Sequence, residues 1–341
     1  MRALGLDIGG ANVKGALVIH STKGARIARQ WNMPVELFRD KDGLAALLGE
    51  LLQKAAPDAV ALTMTGELCD CFTSRSVGAR WIMRQTEAAA PNLELKVFNT
   101  TGEMVSINQA KLYPMSVASA NWAVTLRWAA AHGLENGLVV DIGTTTTDIL
   151  SVKNGAPSAR GMDDFTRARA GELVYAGYLR THASIAAPKI VVCGKEMDAC
   201  PEYFAIVGDA HLLLGDIGAG GYTCPTPDGG PKTKVAAARR LCRMALSDLE
   251  GVGMDEAVNI ARQVACAQAT RLAEVAAGVA AREGLEKGAD LLLVGSGASI
   301  YGATLRDRLG MRQVDRLGGI DASKINPALC AAMLGMVPGD L

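Results

Sequence analysis

The sequence predicts an α/β fold built by duplication, and three observations carry that reading. Strand-like and helix-like apolar patterns alternate along the chain, and an acid-and-glycine bend occurs twice. The 341 residues also exceed the roughly 250–300 that one hydrophobic core usually organises. Leu4 opens LGLDIGGANVKGAL, an apolar run broken by Asp7 and a glycine cluster; Leu138 opens LVVDIGTTTTDIL, with the same construction. Asp7 and Asp141, like Gly9 and Gly143, stand 134 residues apart. Each copy reads as a buried strand, a tight turn and a second strand. Val13 and Ala16 to Val18 mark the register of the first copy, and Ile149 and Val152 that of the second. Repetition at this distance predicts two similar halves and excludes a solenoid, whose period is roughly 20–50 residues.

The remaining elements follow from local pattern. Gly43 to Ala55 reads as an amphipathic helix and AVALTMT from Ala59 as a strand; a mixed region then leads to a helix over 116–132. Beyond the second bend the pattern predicts a helix over 168–181 and a strand, KIVVCG, from Lys189. The stretch 223–234, rich in Pro, Gly and Asp, reads as a surface loop. Two alanine-rich helices follow, over 233–249 and 255–283, with Arg239, Arg240, Arg262 and Arg271 placed on their solvated faces. DLLLVGSG from Asp290 is a strand ending in a glycine turn, and a helix over 327–336 closes the chain. The expected partition is a first lobe over 1–134, with a C-terminal helix at 322–341 returning to it, and a second lobe over 135–321.

Composition narrows the classes. Hydrophobic residues make up 49% and glycine contributes 38 residues, which excludes disorder, collagen and a small disulfide scaffold. Thirty-five basic residues balance thirty-five acidic ones, so no overall field favours nucleic acid or an anionic membrane. No apolar run approaches the roughly 18–20 residues that span a bilayer. The start, MRALGLDIGG, meets an acid at its seventh position and continues as a strand pattern, unlike a signal peptide. A soluble, cytoplasmic protein is the expectation, with self-association left open. The eight cysteines form no CxxC pair, and His20, His132, His182 and His211 lack zinc-ligand spacing. Cys69 and Cys71 read as thiols of a reducing compartment, with a soft-metal or redox pair as the alternative.

The bends carry the chemistry. Glycines at 9 and 10 let backbone N–H groups approach an anion, and Asn12 adds a side-chain donor. In the second copy Gly143, Thr144, Thr145 and Thr146 offer amides and hydroxyls to a phosphate face. Carboxylates at the strand ends, Asp7 and Asp141, suit a water-rich Mg²⁺ shared with phosphate oxygens, and Lys14 adds a point charge. The alternative is a pair of purely structural turns. Neither bend matches the Walker or the GxGxxG pattern.

These residues resemble a known group. The two bends, the TMTGEL strand end and the GSGAS turn (Gly295, Ser296, Gly297) are similar to the phosphate, connecting and adenosine motifs of the actin/hexokinase/Hsp70 superfamily. Within it the chain resembles the hydantoinase/oxoprolinase-like branch and, more narrowly, the methanofuran-biosynthesis synthase family. That narrower likeness rests on MTGELCDCF from Met64, SANWAVTLRW from Ser119, RAGELVYAGYLRT from Arg169, GDAHLLLGDI from Gly208 and ARRLCRM from Ala238. The resemblance implies a duplicated ribonuclease H-like fold of two lobes around a cleft. It further implies a transferase that joins an aminomethyl-furan-methyl diphosphate to the phenol of a glutamyl-tyramine or tyrosine-type acceptor, releasing diphosphate. Mg²⁺ and Lys14 would neutralise the departing diphosphate.

Glu67 is the first candidate to accept the phenol proton and Asp148 the second; a helix-start cap is the alternative role for Glu67. Arg75 and Arg80 are candidates for a diphosphate or glutamyl carboxylate. Asn121, Glu172 and Asp209 are further substrate-contact candidates, with capping or packing as alternatives; His211 shares a strand-like run with Asp209. Asp164 and Arg167 are expected to pair, and Trp122 to lie in the core. The GSGASIYG turn is poor in glycine, which suits a site without nucleotide, so ATP is not expected. A second reading is an ATP-dependent small-molecule kinase or ATPase with the same bends.

Overall fold

A computed structural model describes residues 1–335. Met336, the last residue of the expected closing helix, and the rest of the 322–341 segment after it lie outside the described residues. The described chain divides into two compact units. Unit 1 comprises Met1–Asn136, Leu150–Arg167 and the C-terminal stretch from Arg316; unit 2 comprises Gly137–Ile149 and Ala168–Asp315. The division differs from the expected one: 135–136, 150–167 and 316–321 belong with the first unit.

Unit 1 is organised by a six-stranded sheet of β1 (Arg2–Ile8), β2 (Asn12–Ser21), β3 (Gly24–Pro34), β4 (Ala59–Met64), β5 (Glu94–Phe98) and β6 (Met104–Ser106). Their spatial order is β3-β2-β1-β4-β5-β6. β1 runs parallel to β4 and antiparallel to β2, and β4 is buried along its whole length. That burial explains the uninterrupted apolar run AVALTM, as central parallel strands require. The helix Leu44–Ala55 buries Leu44, Leu48, Leu51, Leu52 and Ala55, one face at helical spacing. The helix Pro327–Leu334 lies against β1: a Cβ on Gly5 would come 1.8 Å from the carbonyl oxygen of Ala328.

Unit 2 repeats the motif. β7 (Gly137–Ile142) and β8 (Thr147–Lys153) form its strand–turn–strand, and β8 runs on past Ile149 into unit 1, where its end pairs with β9 (Ala156–Ser158). β10 (Leu173–Val174) flanks β8, β11 (Lys189–Val192) and β12 (Lys195–Asp198) form a separate hairpin, and β13 (Asp290–Val294) runs parallel to β7 and to β14 (Arg312–Gln313). The core sits between this sheet and the helices Val207–Leu214, Lys234–Arg243 and Leu249–Glu283. The last is broken at Gly253, whose φ of 82° is not helical.

Four local expectations are corrected. The helix expected over 168–181 is confined to Asp164–Arg169; beyond it Gly171 turns at φ 71° and Gly177 packs on Thr144 and Thr145, where a Cβ would sit 2.4 Å from backbone atoms. The strand-like run around His211 is the helix Val207–Leu214, started by Asp209, whose carboxylate accepts the Ile206 N–H at 3.0 Å. The helix expected from Ser116 begins at Asn121, after a 3₁₀ turn at Pro114–Ser116 and a left-handed Ser119. The helix expected over 233–249 ends at Arg243, and Leu246 turns at φ 53° before the next begins.

Gly5→Ala forces a methyl into the Ala328 carbonyl, so urea titration should show unfolding about 1–3 kcal/mol easier than in the wild type, the usual range for overpacking.

Candidate functional site

The two bends have one geometry. The Gly9 N–H donates to the Asn12 carbonyl at 2.9 Å, and the Gly143 N–H donates to the Thr146 carbonyl at 2.9 Å. A Cβ on Gly9 would lie 3.1 Å from the Asn12 oxygen, and one on Gly143 would lie 3.2 Å from the Thr146 oxygen. Asp7 and Asp141 are buried at the ends of their strands, while Gly9, Gly10, Asn12 and Gly143 to Thr146 are half-exposed. Asp7 sits opposite Lys14 in the β1–β2 register, and its Oδ2 is 3.7 Å from Lys14 Nζ.

Other glycines close each bend. In unit 2, Gly295, at φ 84°, lies against the second bend, where a Cβ would fall 2.3 Å from Asp141 Oδ1. The Gly297 N–H donates to the Ile142 carbonyl, so the turn Gly295–Ser296–Gly297 and the acid bend form one backbone assembly. In unit 1 the segment after β4 wraps the first bend: the Thr65 N–H donates to the Ile8 carbonyl, and a Cβ on Gly66 would come 3.2 Å from the Gly9 carbonyl.

Glu67 follows directly, in a single 3₁₀ turn, and is buried. It is not a cap. Its Oε1 accepts from Ser119 Oγ at 2.7 Å and from Arg75 Nη2 at 3.1 Å, while its Oε2 is buried with no hydrogen-bond partner. Burial pushes this carboxyl above its ordinary value of 4.5; the Ser119 hydrogen bond and the Arg75 charge recover part of the shift. Helix Arg75–Ala89 is seated on the Glu67 backbone through Gly78, where a Cβ would clash at 2.6 Å, and Ser74 caps it. Arg75 also lies 3.2 Å from Asp164 and donates to Ser119 at 2.9 Å. Asp164 pairs with Arg167 at 4.0 Å, and the Arg167 guanidinium covers the buried Trp122 ring at 4.5 Å.

The other candidates are employed elsewhere. Arg80 donates to the Lys111 carbonyl and to Ser76. Asn121 is the first residue of its helix, Ala120 holding the cap position. Asp148 is buried in β8 opposite Leu173. Glu172 is buried and paired with Arg282 at 2.9 Å. Asp209 and Arg240 are both fully buried and paired at 2.7 Å, which corrects the solvated placement of Arg240; Arg239, Arg262 and Arg271 are exposed as expected. Sequence reasoning paired Asp164 with Arg167 but did not join Asp164 and Ser119 to Glu67. None of the eight cysteines is in a disulfide, and among the described residues no three His, Cys, Asp or Glu side chains gather as a metal site. Among them, too, no helix is long and apolar enough to cross a membrane.

Residues 58–333 match the hydantoinase/oxoprolinase family. The chain belongs to that family. A relative from Methanocaldococcus jannaschii, named (4-{4-[2-(gamma-L-glutamylamino)ethyl]phenoxymethyl}furan-2-yl)methanamine synthase, is 33% identical over 97% of this chain and 96% of its own. A protein of the same name from Methanococcus vannielii is 39% identical over 37% of this chain and 57% of its own. Among solved structures, a nucleotide-free acetone carboxylase matches with a TM-score of 0.55 at 10% identity, covering 98% of this chain and 70% of that one. A ROK family glucokinase from Streptomyces griseus matches with a TM-score of 0.50 at 15% identity, covering 98% and 99%. These likenesses show the fold, α/β of the hexokinase type.

Two outcomes follow for this hydantoinase/oxoprolinase family member. Arg240→Ala leaves Asp209 buried without its cation, and unfolding of unit 2 should become about 3–5 kcal/mol easier. Because the folded state raises the Glu67 pKa, its favourable contribution is present below pH 4.5 and lost as pH rises through the folded value. Glu67→Gln should therefore gain in thermal midpoint relative to wild type as pH increases, and a constant difference from pH 4 to 8 would contradict the assignment.

Proposed function

We propose that this chain is a diphosphate-releasing alkyl transferase of methanofuran-type cofactor biosynthesis. It would form an aryl ether between an aminomethyl-furan-methyl diphosphate and the phenol of a glutamyl-tyramine or tyrosine-type acceptor. The observation that carries the reading is the relationship over nearly the full length of both chains to a synthase whose name describes a phenoxymethyl-furan methanamine. The geometry of unit 1 supports it through a buried carboxyl oxygen without a hydrogen-bond partner, Glu67 Oε2, on the residue after the glycine that packs on the first bend.

In this reading Asp7 with Gly9, Gly10, Asn12 and Lys14 forms one phosphate-directed bend, and Asp141 with Gly143, Thr144, Thr145 and Thr146 forms the other. The first offers a carboxylate with backbone and amide oxygens and the second a carboxylate with backbone and hydroxyl oxygens, ligand atoms that fit a hard, water-rich Mg²⁺, and Gly295 keeps the face of Asp141 clear of any side chain. Bound there, Mg²⁺ supplies charge neutralisation for the leaving diphosphate. Lys14, whose Nζ lies 3.7 Å from Asp7 Oδ2, adds positive charge on the same sheet face. Glu67 Oε2 accepts the phenol proton as the phenolic oxygen attacks the furan methylene. Its raised pKa makes it a stronger base than an ordinary carboxylate, closer to the working pH. Arg75, engaged with Glu67, Ser119 and Asp164, orients the base in place of binding a substrate carboxylate.

Incubation of the full chain with the furan diphosphate, glutamyl-tyramine and Mg²⁺ should give the ether and diphosphate by mass spectrometry. Absence of ether together with hydrolysis of added ATP would favour a kinase. Asp7→Asn and Asp141→Asn should each lower kcat by about a hundredfold or more with circular dichroism unchanged. kcat/KM should rise with pH through a midpoint above 4.5, and that limb should vanish in Glu67→Gln.

A further inference from the structure

Ser119 is a non-glycine residue held at φ 50°. Such a conformation is costly for a side chain and persists where the surroundings impose it. Here it aims the hydroxyl at two carboxylates: Ser119 Oγ is 2.7 Å from Glu67 Oε1 and 2.9 Å from Asp164 Oδ2. A serine carries one hydroxyl proton, so it satisfies only one of those contacts as donor. Arg75 Nη2 is also within 3.1 Å of Glu67, 2.9 Å of Ser119 and 3.2 Å of Asp164. Its two N–H groups and the one hydroxyl proton serve five close contacts. One additional proton on the carboxyl pair serves a fourth of these contacts, with Glu67 donating to Ser119 and Ser119 donating to Asp164. The charged groups around the pair are Arg75 and Arg167, the latter 4.0 Å from Asp164. Glu67 is sealed from solvent, whereas the Asp164 side chain is 20% exposed.

We infer that Glu67, Ser119 and Asp164 form a proton-conducting chain that joins the buried carboxyl to solvent. Its use in turnover rests on the reading above. The phenol O–H bond breaks and its proton joins Glu67, while the phenolic oxygen bonds the methylene and the methylene–diphosphate bond breaks, diphosphate leaving with the electron pair. A half-turn of the Glu67 carboxyl, about a soft two-fold torsion, exchanges its oxygens. The proton then passes to Ser119 Oγ as the original serine proton moves to Asp164, which releases it to water. Glu67 and Asp164 are again ionised and Ser119 is again a hydroxyl. Ser119 and Asp164 act through Glu67 and are positioning residues.

Ser119→Gly tests the chain, because glycine adopts φ 50° without strain and should keep the fold. In the purified full chain, infrared titration reads the protonated carboxyl of Glu67, identified by its loss in Glu67→Gln. Asp164→Asn should shift that midpoint more in the wild-type background than in the Ser119→Gly background, where only charge and the shared Arg75 contact remain. In turnover, Ser119→Gly should lower kcat about tenfold or more with little change in KM, and formate or imidazole should restore part of it. A Glu67 midpoint that responds to Asp164→Asn equally with and without Ser119, or an unchanged kcat in Ser119→Gly, would overturn the proposal. If the wild type makes no ether, the reaction assignment fails, and the titration alone decides whether the two carboxyls are linked.

Discussion

A hydrogen bond from a glycine N–H to a carbonyl three residues on is the small device on which the rest of the molecule depends. It closes the bend after Asp7 and again after Asp141, at 2.9 Å in both. A carboxylate at the end of a buried strand stays usable only if the chain turns away at once and no side chain covers it. Glycine at positions 9 and 143 meets both conditions, because a Cβ there would press on the carbonyl that closes the turn. The surrounding segments are shaped to this bend. Gly66 packs closely on the first copy, and Gly177 and Gly295 press on the second at distances that no side chain tolerates. Each acid bend is thus walled by bare peptide stacked on bare peptide.

The charges kept inside each unit are handled in two ways. In unit 2, Asp209 is matched to Arg240 at 2.7 Å and helps start a helix, so its charge is spent on structure. In unit 1, Glu67 is matched only on one oxygen, and the other is left open. Removing a carboxylate from water and satisfying half of it leaves the group short of stabilisation as an anion, which is the condition for strong proton affinity. The Arg75 side chain keeps the arrangement from being simply unfavourable.

The bends, the central strands and the duplicated α/β class were legible in the sequence because each is specified over fewer than about fifteen consecutive residues. Asp7 and Gly9 announce their geometry locally, and AVALTM can only be a buried strand. The cluster around Glu67 was not legible in full, since Ser119 lies 52 residues beyond Glu67 and Asp164 a further 45 beyond Ser119. Nothing in SANW signals a left-handed serine. The eight-residue run at Val207 carries no decisive period, and an acid at its third position was the only sign of a helix. Arg240 could have been found: it shares the face of Ala237, Leu241 and Met244, all buried, so an arginine there had to enter the core with a partner.

Unit 1 is drawn from three stretches of chain, the last of them C-terminal, whereas unit 2 is complete once Asp315 has been made. During synthesis the amino-terminal sheet therefore emerges first yet waits for the helix Pro327–Leu334 to cover Gly5 and Ala16. The usual order, in which the leading domain folds before the next appears, would then be reversed. On a ribosome the second half of the duplication would be the first to become a finished body, and the exposed face of β1 would be the part of the nascent chain most in need of a chaperone.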